Sequence, residues 1–400
     1  MLRDLFRLAA IAVLMLLSGH ADAQQDGAGR ASFTSYVDAL WPDAQARGIT
    51  PATFDLAFAG LTPDQRVVAT THKQPEFNSA IGPYINRMAS AERVANGARK
   101  LAELSGTLDA IERQYGVDRA IIVAIWGIET SFGTNAGAFD VIRSLATLAF
   151  VGYREPYFRE ELLTALRVLQ DGHIARGRML GSWAGAMGQP QFMPSSFMAL
   201  AVDFTGDGRK DIWTSVPDVL ASIGHYFQHH GWKRGLDWGY EVVIPGSFDY
   251  RKSRATFPEW VALGVKRANG APLPDAGDAI LLFPSGASGP AFLVTENFSV
   301  IKRYNISDVF ALAVAHLAER MRGRGQIRTP WPAADPQLSR ADRIALQKRL
   351  AAMGYTVNDF DGRIDFDLRD AIRDVQSKNG MRPDGHPTAL LLKRIGAKRD

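Results

Sequence analysis

The stretch that decides the fold is Asp118-Arg119-Ala120-Ile121-Ile122-Val123-Ala124-Ile125-Trp126, followed by Gly127-Ile128-Glu129-Thr130-Ser131-Phe132-Gly133. Asp118 can cap a helix that runs through Trp126. From Ala120 to Trp126 every side chain is apolar. A helix with no polar face belongs at the centre of a domain rather than on its surface. Glu129 directly follows that helix. A glutamate is seldom buried without a partner. Among Trp126, Ile128 and Phe132 its ionised form is poorly solvated, and desolvation raises a carboxyl pKa. A carboxyl that keeps its proton near neutral pH can act as a general acid on a glycosidic oxygen. The same spacing also fits a helix-terminal glutamate that faces solvent.

A second segment, Ser182-Trp183-Ala184-Gly185-Ala186-Met187-Gly188-Gln189-Pro190-Gln191-Phe192-Met193-Pro194-Ser195-Ser196, adds to the first. Its small residues let backbone approach a bulky ligand closely. Gln191 and the serines offer hydrogen bonds, while Trp183, Phe192 and Met193 offer apolar faces. That mixture suits a sugar, and it also suits a tightly turned loop. Asp140, Glu155, Glu160, Glu161 and Asp171 lie between the two segments, none within an apolar run, and read as surface charges.

The rest of the chain sets the context. Its 400 residues exceed one ordinary domain. Hydrophobic residues are 46% and charged residues 22%, which excludes a disordered or coiled-coil chain. With no cysteine, disulfides, thiolate metal sites, cysteine nucleophiles and a lipid-bearing N-terminal cysteine are excluded. Arg3 and Arg7 precede the apolar run Leu8–Leu17, and Ala21-Asp22-Ala23 follows. This is the pattern of a cleavable signal over residues 1–23, which predicts an exported, periplasmic protein without a stable membrane anchor. Residues 24–328 read as one mainly helical domain. Helices are expected over 217–230 and 305–322, the latter capped by Ser307, with a β-hairpin between about 279 and 296. Residues 329–337, with three prolines, read as a linker. Residues 338–400 form a small unit with thirteen Lys+Arg against nine Asp+Glu, whereas 24–337 balances to zero. The basic excess therefore sits in the tail, which suggests an anionic partner without requiring nucleic acid.

The Glu129 segment and the 182–196 segment resemble the lytic murein transglycosylase B family over roughly residues 30–325. The resemblance implies an α+β, mainly α, lysozyme-like domain that cleaves the glycan strands of peptidoglycan without a catalytic cofactor. It implies that Glu129 is the single catalytic acid and base. Ser182 and Gln191 look like cleft residues. Tyr84, Tyr226 and Tyr304 fall where the family places aromatic cleft residues, and Asn305 looks like its amide near the reactive sugar. Phe310 stands where some members carry tyrosine, so stacking rather than a hydroxyl contact is expected there. Ordinary glycosidases use two carboxyls, and neither segment holds a second. The family's route has the substrate's own acetamido group attack and its C6 hydroxyl close a 1,6-anhydro ring. A hydrolytic muramidase of the same fold and a non-catalytic wall-binding scaffold remain the alternatives.

Asp203, Thr205 and Asp207 stand at positions 1, 3 and 5 of a calcium-type loop with Gly206 at position 6, and Arg209 offers a carbonyl. Position 12 is Thr214, and the resemblance implies that Asp218 completes a structural Ca2+ site. An Asp/Gly turn without metal is the other reading. His225, His229 and His230 lack the glutamate of a metalloprotease helix and read as helix-end residues. Leu346-Gln347, Leu350, Gly354-Tyr355, Asp361-Gly362, Ala371-Ile372, Val375-Gln376, Gly380 and Asp384-Gly385 resemble the three-helix peptidoglycan-binding domain. Asp365 and Leu368 replace that family's usual Gly and Thr. A monomer bound to peptidoglycan is expected.

Overall fold

A computed structural model describes residues 32–71, 80–333 and 337–396. The signal segment expected over 1–23 lies outside them. The chain forms two compact units.

Of the described residues, the first unit comprises 32–71, 136–199 and 207–214. Its core is an antiparallel helix pair, Val141–Phe150 and Glu155–Gln170. Asp140 caps the first helix by accepting from Arg143 N at 3.0 Å, and Pro156 opens the second. Val141, Ile142, Leu145 and Leu148 of one helix and Phe158, Leu162, Leu163 and Leu166 of the other are fully or nearly fully buried. Helices 32–46, Pro51–Phe58 and Gln65–Thr71 also belong to this unit. A two-stranded ribbon pairs Phe139–Asp140 with Leu180–Gly181. Beside it Gly137 has φ 92°, and a Cβ there would sit 2.1 Å from the Gly181 carbonyl oxygen, so only glycine fits.

Glu161 corrects the surface reading of the intervening acids. It is 4% exposed. Its carboxylate accepts from Ser195 N at 2.9 Å and Ser195 Oγ at 2.6 Å, at the start of the Pro194–Leu200 helix. The helix N-terminus supplies the positive end that makes a buried carboxylate tolerable.

The second unit holds 80–135, 200–206 and 215–396 of the described residues. Two central helices are Arg119–Thr130 and Asp308–Met321, both almost wholly buried. Around them lie Ile81–Met88, Ala91–Glu103, Ser105–Tyr115, Val216–His229 and Glu296–Tyr304. The caps at Asp118 and Ser307 form as expected. The expected hairpin is present, with Asp278–Leu282 paired to Ala291–Val294 in the register Leu281↔Leu293. It is part of a five-stranded antiparallel sheet rather than a lone hairpin. Arg254–Thr256, Gly239–Val243 and Lys266–Arg267 complete that sheet. Tyr240, Val242, Leu281 and Leu293 share a core with Phe257, Trp260, Val265 and Phe283. Trp260 Nε1 donates to the Ala279 carbonyl at 3.2 Å, so the indole carries no unmet donor into that core.

The tail folds into helices Arg340–Ala352, Phe366–Lys378 and Ala389–Arg394. Leu346, Leu350, Leu368, Ile372, Val375, Leu391 and Ile395 form its core. Asp365 caps the second helix, accepting from Leu368 N at 2.7 Å. Among the described residues no helix is long and apolar enough to cross a membrane.

Candidate active site

Glu129 lies inside the last turn of its helix, which continues to Thr130 instead of stopping near Trp126. The chain then makes an abrupt left-handed exit. Ser131, Phe132 and Gly133 have φ of 50°, 60° and 82°. Two non-glycine residues in that region store backbone strain, which proteins tolerate mainly where a site needs it. The exit satisfies the helix end, because Ser131 N donates to the Gly127 carbonyl and Phe132 N to that of Trp126. It also folds Phe132 back over the helix. The Phe132 ring meets Trp126 edge-on at 5.6 Å. It occupies the space beside Gly127, where a Cβ would lie 2.6 Å from a ring carbon.

The Glu129 side chain is mostly enclosed, with part of its surface still open. Among the described residues no cation pairs with its carboxyl, and burial pushes its pKa from the ordinary 4.5 up to about 8. Tyr304 lies close enough to register the charge of Glu129. Its hydroxyl is raised well above 10, first by burial, then by Glu129, then by Tyr226. Tyr226 packs on Tyr304 at 4.8 Å between centroids. Its Oη donates to the Arg303 carbonyl at 2.6 Å, and burial pushes that hydroxyl up to about 12. Glu129, Tyr226 and Tyr304 thus form one electrostatic group in the second unit.

The other candidates fall as follows. Tyr84 is half-buried, with the Arg87 guanidinium 5.4 Å from its ring centre. Asn305 is exposed and ends the helix before it in extended conformation. Phe310 is 4% exposed, so its ring belongs to the core of the second unit. Ser182 and Gln191 belong to the first unit. Ser182 Oγ accepts from Ala186 N at 3.0 Å and from Ala184 N at 3.3 Å. Gln191 has φ 55°, and its amide nitrogen donates to the carbonyls of Gly188 at 2.8 Å and Ala136 at 3.1 Å. Both side chains therefore brace the glycine-rich loop, and that bracing was not legible from composition.

In the Asp203 loop, Asp203 Oδ1 accepts from Gly206 N at 2.7 Å and from Thr205 Oγ1 at 3.3 Å. Asp218, fully buried, accepts from Phe204 N at 3.0 Å and Thr205 N at 3.2 Å. Asp207 accepts from Arg209 N at 2.9 Å. Among the described residues no group of three or more His, Cys, Asp or Glu is gathered to hold a metal. His225 Nδ1 lies 2.9 Å from the Leu200 carbonyl oxygen.

Residues 32–319 match the model of the transglycosylase SLT domain, so the chain belongs to that family, and residues 339–395 match a putative peptidoglycan-binding domain. Together these describe a lysozyme-like catalytic domain followed by a small helical wall-binding module. The chain is 34% identical to the membrane-bound lytic murein transglycosylase B of Escherichia coli over 264 residues, which is 64% of this chain and 72% of that protein. It is similar to the crystal structure of SltB3 from Pseudomonas aeruginosa in complex with NAG-anhNAM-pentapeptide, with 44% identity, a TM-score of 0.83, and coverage of 91% of this chain and 99% of that one. It is also similar to Escherichia coli lytic transglycosylase Slt35 in complex with calcium, with 29% identity, a TM-score of 0.62, and coverage of 75% and 95%.

Proposed function

We propose that this protein is a lytic transglycosylase that cleaves the β-1,4 bond between MurNAc and GlcNAc in peptidoglycan. The observation that carries the reading is the enclosed Glu129 carboxyl, which no cation pairs among the described residues and which burial raises to about 8. At neutral pH it holds a proton that it can give to the leaving glycosidic oxygen. The acetamido oxygen of the muramic sugar attacks C1 as that bond breaks. Glu129, now a carboxylate, takes the proton of the same sugar's C6 hydroxyl. The C6 oxygen then attacks C1, the acetamido oxygen departs, and a 1,6-anhydro end forms with no water consumed. Substrate assistance makes a second protein carboxylate unnecessary. Glu161, the buried acid nearest in character, is committed to Ser195. Within the second unit Asn305 is assigned to orient the acetamido group and Tyr84, Tyr226 and Tyr304 to contact the sugar; Ser182 and Gln191 are assigned as substrate-binding residues of the first unit.

Mass spectrometry of digested sacculi tests this directly. The expected muropeptides lack one water relative to hydrolytic products, and Glu129→Gln is expected to release them at least about 10²-fold more slowly. Muropeptides with reducing ends would identify a muramidase. Retained binding with no muropeptides released by either wild type or Glu129→Gln would leave a wall-binding scaffold.

The same reading places the protein in the periplasm, exported through residues 1–23, with the tail module on the polymer. Tethering would raise the local substrate concentration without altering the cleft. A structural Ca2+ in the Asp203–Asp218 loop belongs to this proposal as well. Its support is the oxygen-only donor set of Asp203, Thr205, Asp207, the Arg209 carbonyl and Asp218. The turns at Gly206 and Gly208, with φ of 76° and 88°, add to it. A chelator is expected to lower the melting midpoint, and an unchanged midpoint would remove calcium from the account.

A further inference from the structure

The tail helix Phe366–Lys378 buries two arginines. Arg369 is 6% exposed and Arg373 is 3% exposed. A buried guanidinium is stable only when acceptors surround it, and here the catalytic domain supplies some of them. Arg373 Nη2 donates to the Leu281 carbonyl, on the Asp278–Leu282 strand of the five-stranded sheet, at 2.8 Å. Arg369 Nη1 donates to the Gly385 carbonyl at 3.1 Å, and Nη2 meets Asp308 Oδ2 at 2.6 Å. Asp308 Oδ1 lies 2.5 Å from Lys302 Nζ, and that ammonium sits 4.9 Å from the Phe366 ring centre. One buried carboxylate of the catalytic domain is therefore shared by a cation of its own and a cation of the tail. A further bond runs from Ala287 N to Asp384 at 2.9 Å. Arg254 pairs with Asp367 and Asp370, but at 47% exposure this outer pair is worth little.

The position of Asp308 gives the shared carboxylate its meaning. Lys302 is in the last turn of the Glu296–Tyr304 helix, and Asp308 is the first residue of Asp308–Met321. The turn between them, 303–307, contains Tyr304 and Asn305. It is fastened at one end by Tyr226 Oη on the Arg303 carbonyl and at the other by the Lys302–Asp308–Arg369 cluster. The Asp308–Met321 helix that follows the turn packs on the Arg119–Thr130 helix that carries Glu129, and Tyr304 lies within reach of the Glu129 charge.

We infer that Arg369 is a positioning residue for the glycan-cleaving reaction: by completing the charge around Asp308, the tail holds the 303–307 turn against Glu129. The inference rests on the reading of Glu129 as the acid, and it makes the tail part of the cleft's geometry as well as a tether. Taking Arg369 away leaves Asp308 buried with one cation instead of two. Removing one member of such a cluster disturbs what it anchors more than adding one helps.

The test uses full-length protein and a short soluble glycan of four sugars, on which polymer tethering has no effect. Arg369→Ala is expected to lower kcat roughly tenfold while changing KM less than about twofold, as for an interaction expressed in the transition state. Water reaching Glu129 through a loosened turn is expected to move the upper limb of the pH–rate profile to lower pH. Arg369→Lys is expected to restore most of the rate, Asp308→Asn to repeat the loss, and Arg254→Ala to match wild type. A purely structural role would scale the whole profile without moving its limb, and that outcome overturns the inference. So does an unchanged kcat in Arg369→Ala. Product masses keep the two readings apart: hydrated ends from wild type would sink the transglycosylase reading, whereas anhydro ends made at one rate by wild type and Arg369→Ala would sink only this one.

Discussion

Glu129→Gln is expected to make the protein more stable at pH 7 while abolishing its activity. The carboxyl is raised from the ordinary 4.5 to about 8 by burial alone. A group with an elevated folded pKa contributes stability that is fully present below pH 4.5 and drains away as pH climbs toward 8. Between pH 4.5 and pH 7 the unfolded chain's carboxyl ionises and the folded one's does not, a linkage of about 3 kcal/mol at full shift. Part of the side chain remains open to solvent, so about half of that figure is the working expectation. Glutamine has the same shape and no charge to desolvate. Its melting midpoint should therefore exceed that of wild type by a few degrees at pH 7, using about 2–4 °C per kcal/mol as the upper guide for a chain this long. The advantage should shrink toward zero near pH 4.5. Scanning calorimetry of both proteins at several pH values measures it, and a parallel digest should show a loss of about 10²–10⁴-fold, the usual worth of a general acid. A glutamine variant that melts no higher than wild type at pH 7 and pH 8 would refute the claim that desolvation holds this proton.

Other outcomes are equally open to measurement. Burial alone would raise the Asp308 carboxyl, but the fields and hydrogen bonds of Lys302 and Arg369 outweigh it and hold the pKa at about 2. Its contribution, on the order of 2 kcal/mol, is present above about pH 4 and should be lost as pH falls toward 2; Asp308→Asn should flatten acid unfolding in that window. Glu161→Ala strands the Ser195 hydroxyl and amide, and a loss of about 2–3 kcal/mol in denaturant titration is expected; a change within error would mean that water replaces the carboxylate freely. Tyr226→Phe removes the 2.6 Å bond to the Arg303 carbonyl, which should cost about 1 kcal/mol and slow turnover. Normal turnover would show that the 303–307 turn does not need that anchor.

The sequence was informative where one side chain decides one contact. Asp118 and Ser307 were legible as caps because a short polar side chain before an apolar run has few other uses. Glu129 was legible because it interrupts an apolar context. The five-stranded sheet was only partly visible. Its two hydrophobic strands stood out, but Arg254–Thr256 and Lys266–Arg267 are too short and too polar to signal pairing, and their order depends on non-local register. Glu161 was misread because neighbours in sequence were weighed instead of the helical face. It lies three residues after Phe158 and four before Ala165, both buried, and that spacing held the clue. The grip of Arg369 on Asp308 was beyond reach, since two charges sixty-one positions apart in sequence carry no local signal.

The paired arginines of the tail also limit how this protein can be rebuilt. Three-helix wall-binding units look like cassettes to be exchanged at a proline-rich joint. Here a graft lacking cations at 369 and 373 would expose an acid and a strand carbonyl to a partner unable to answer them. A working chimera would have to carry both arginines with it, or else replace Asp308 and Lys302 together.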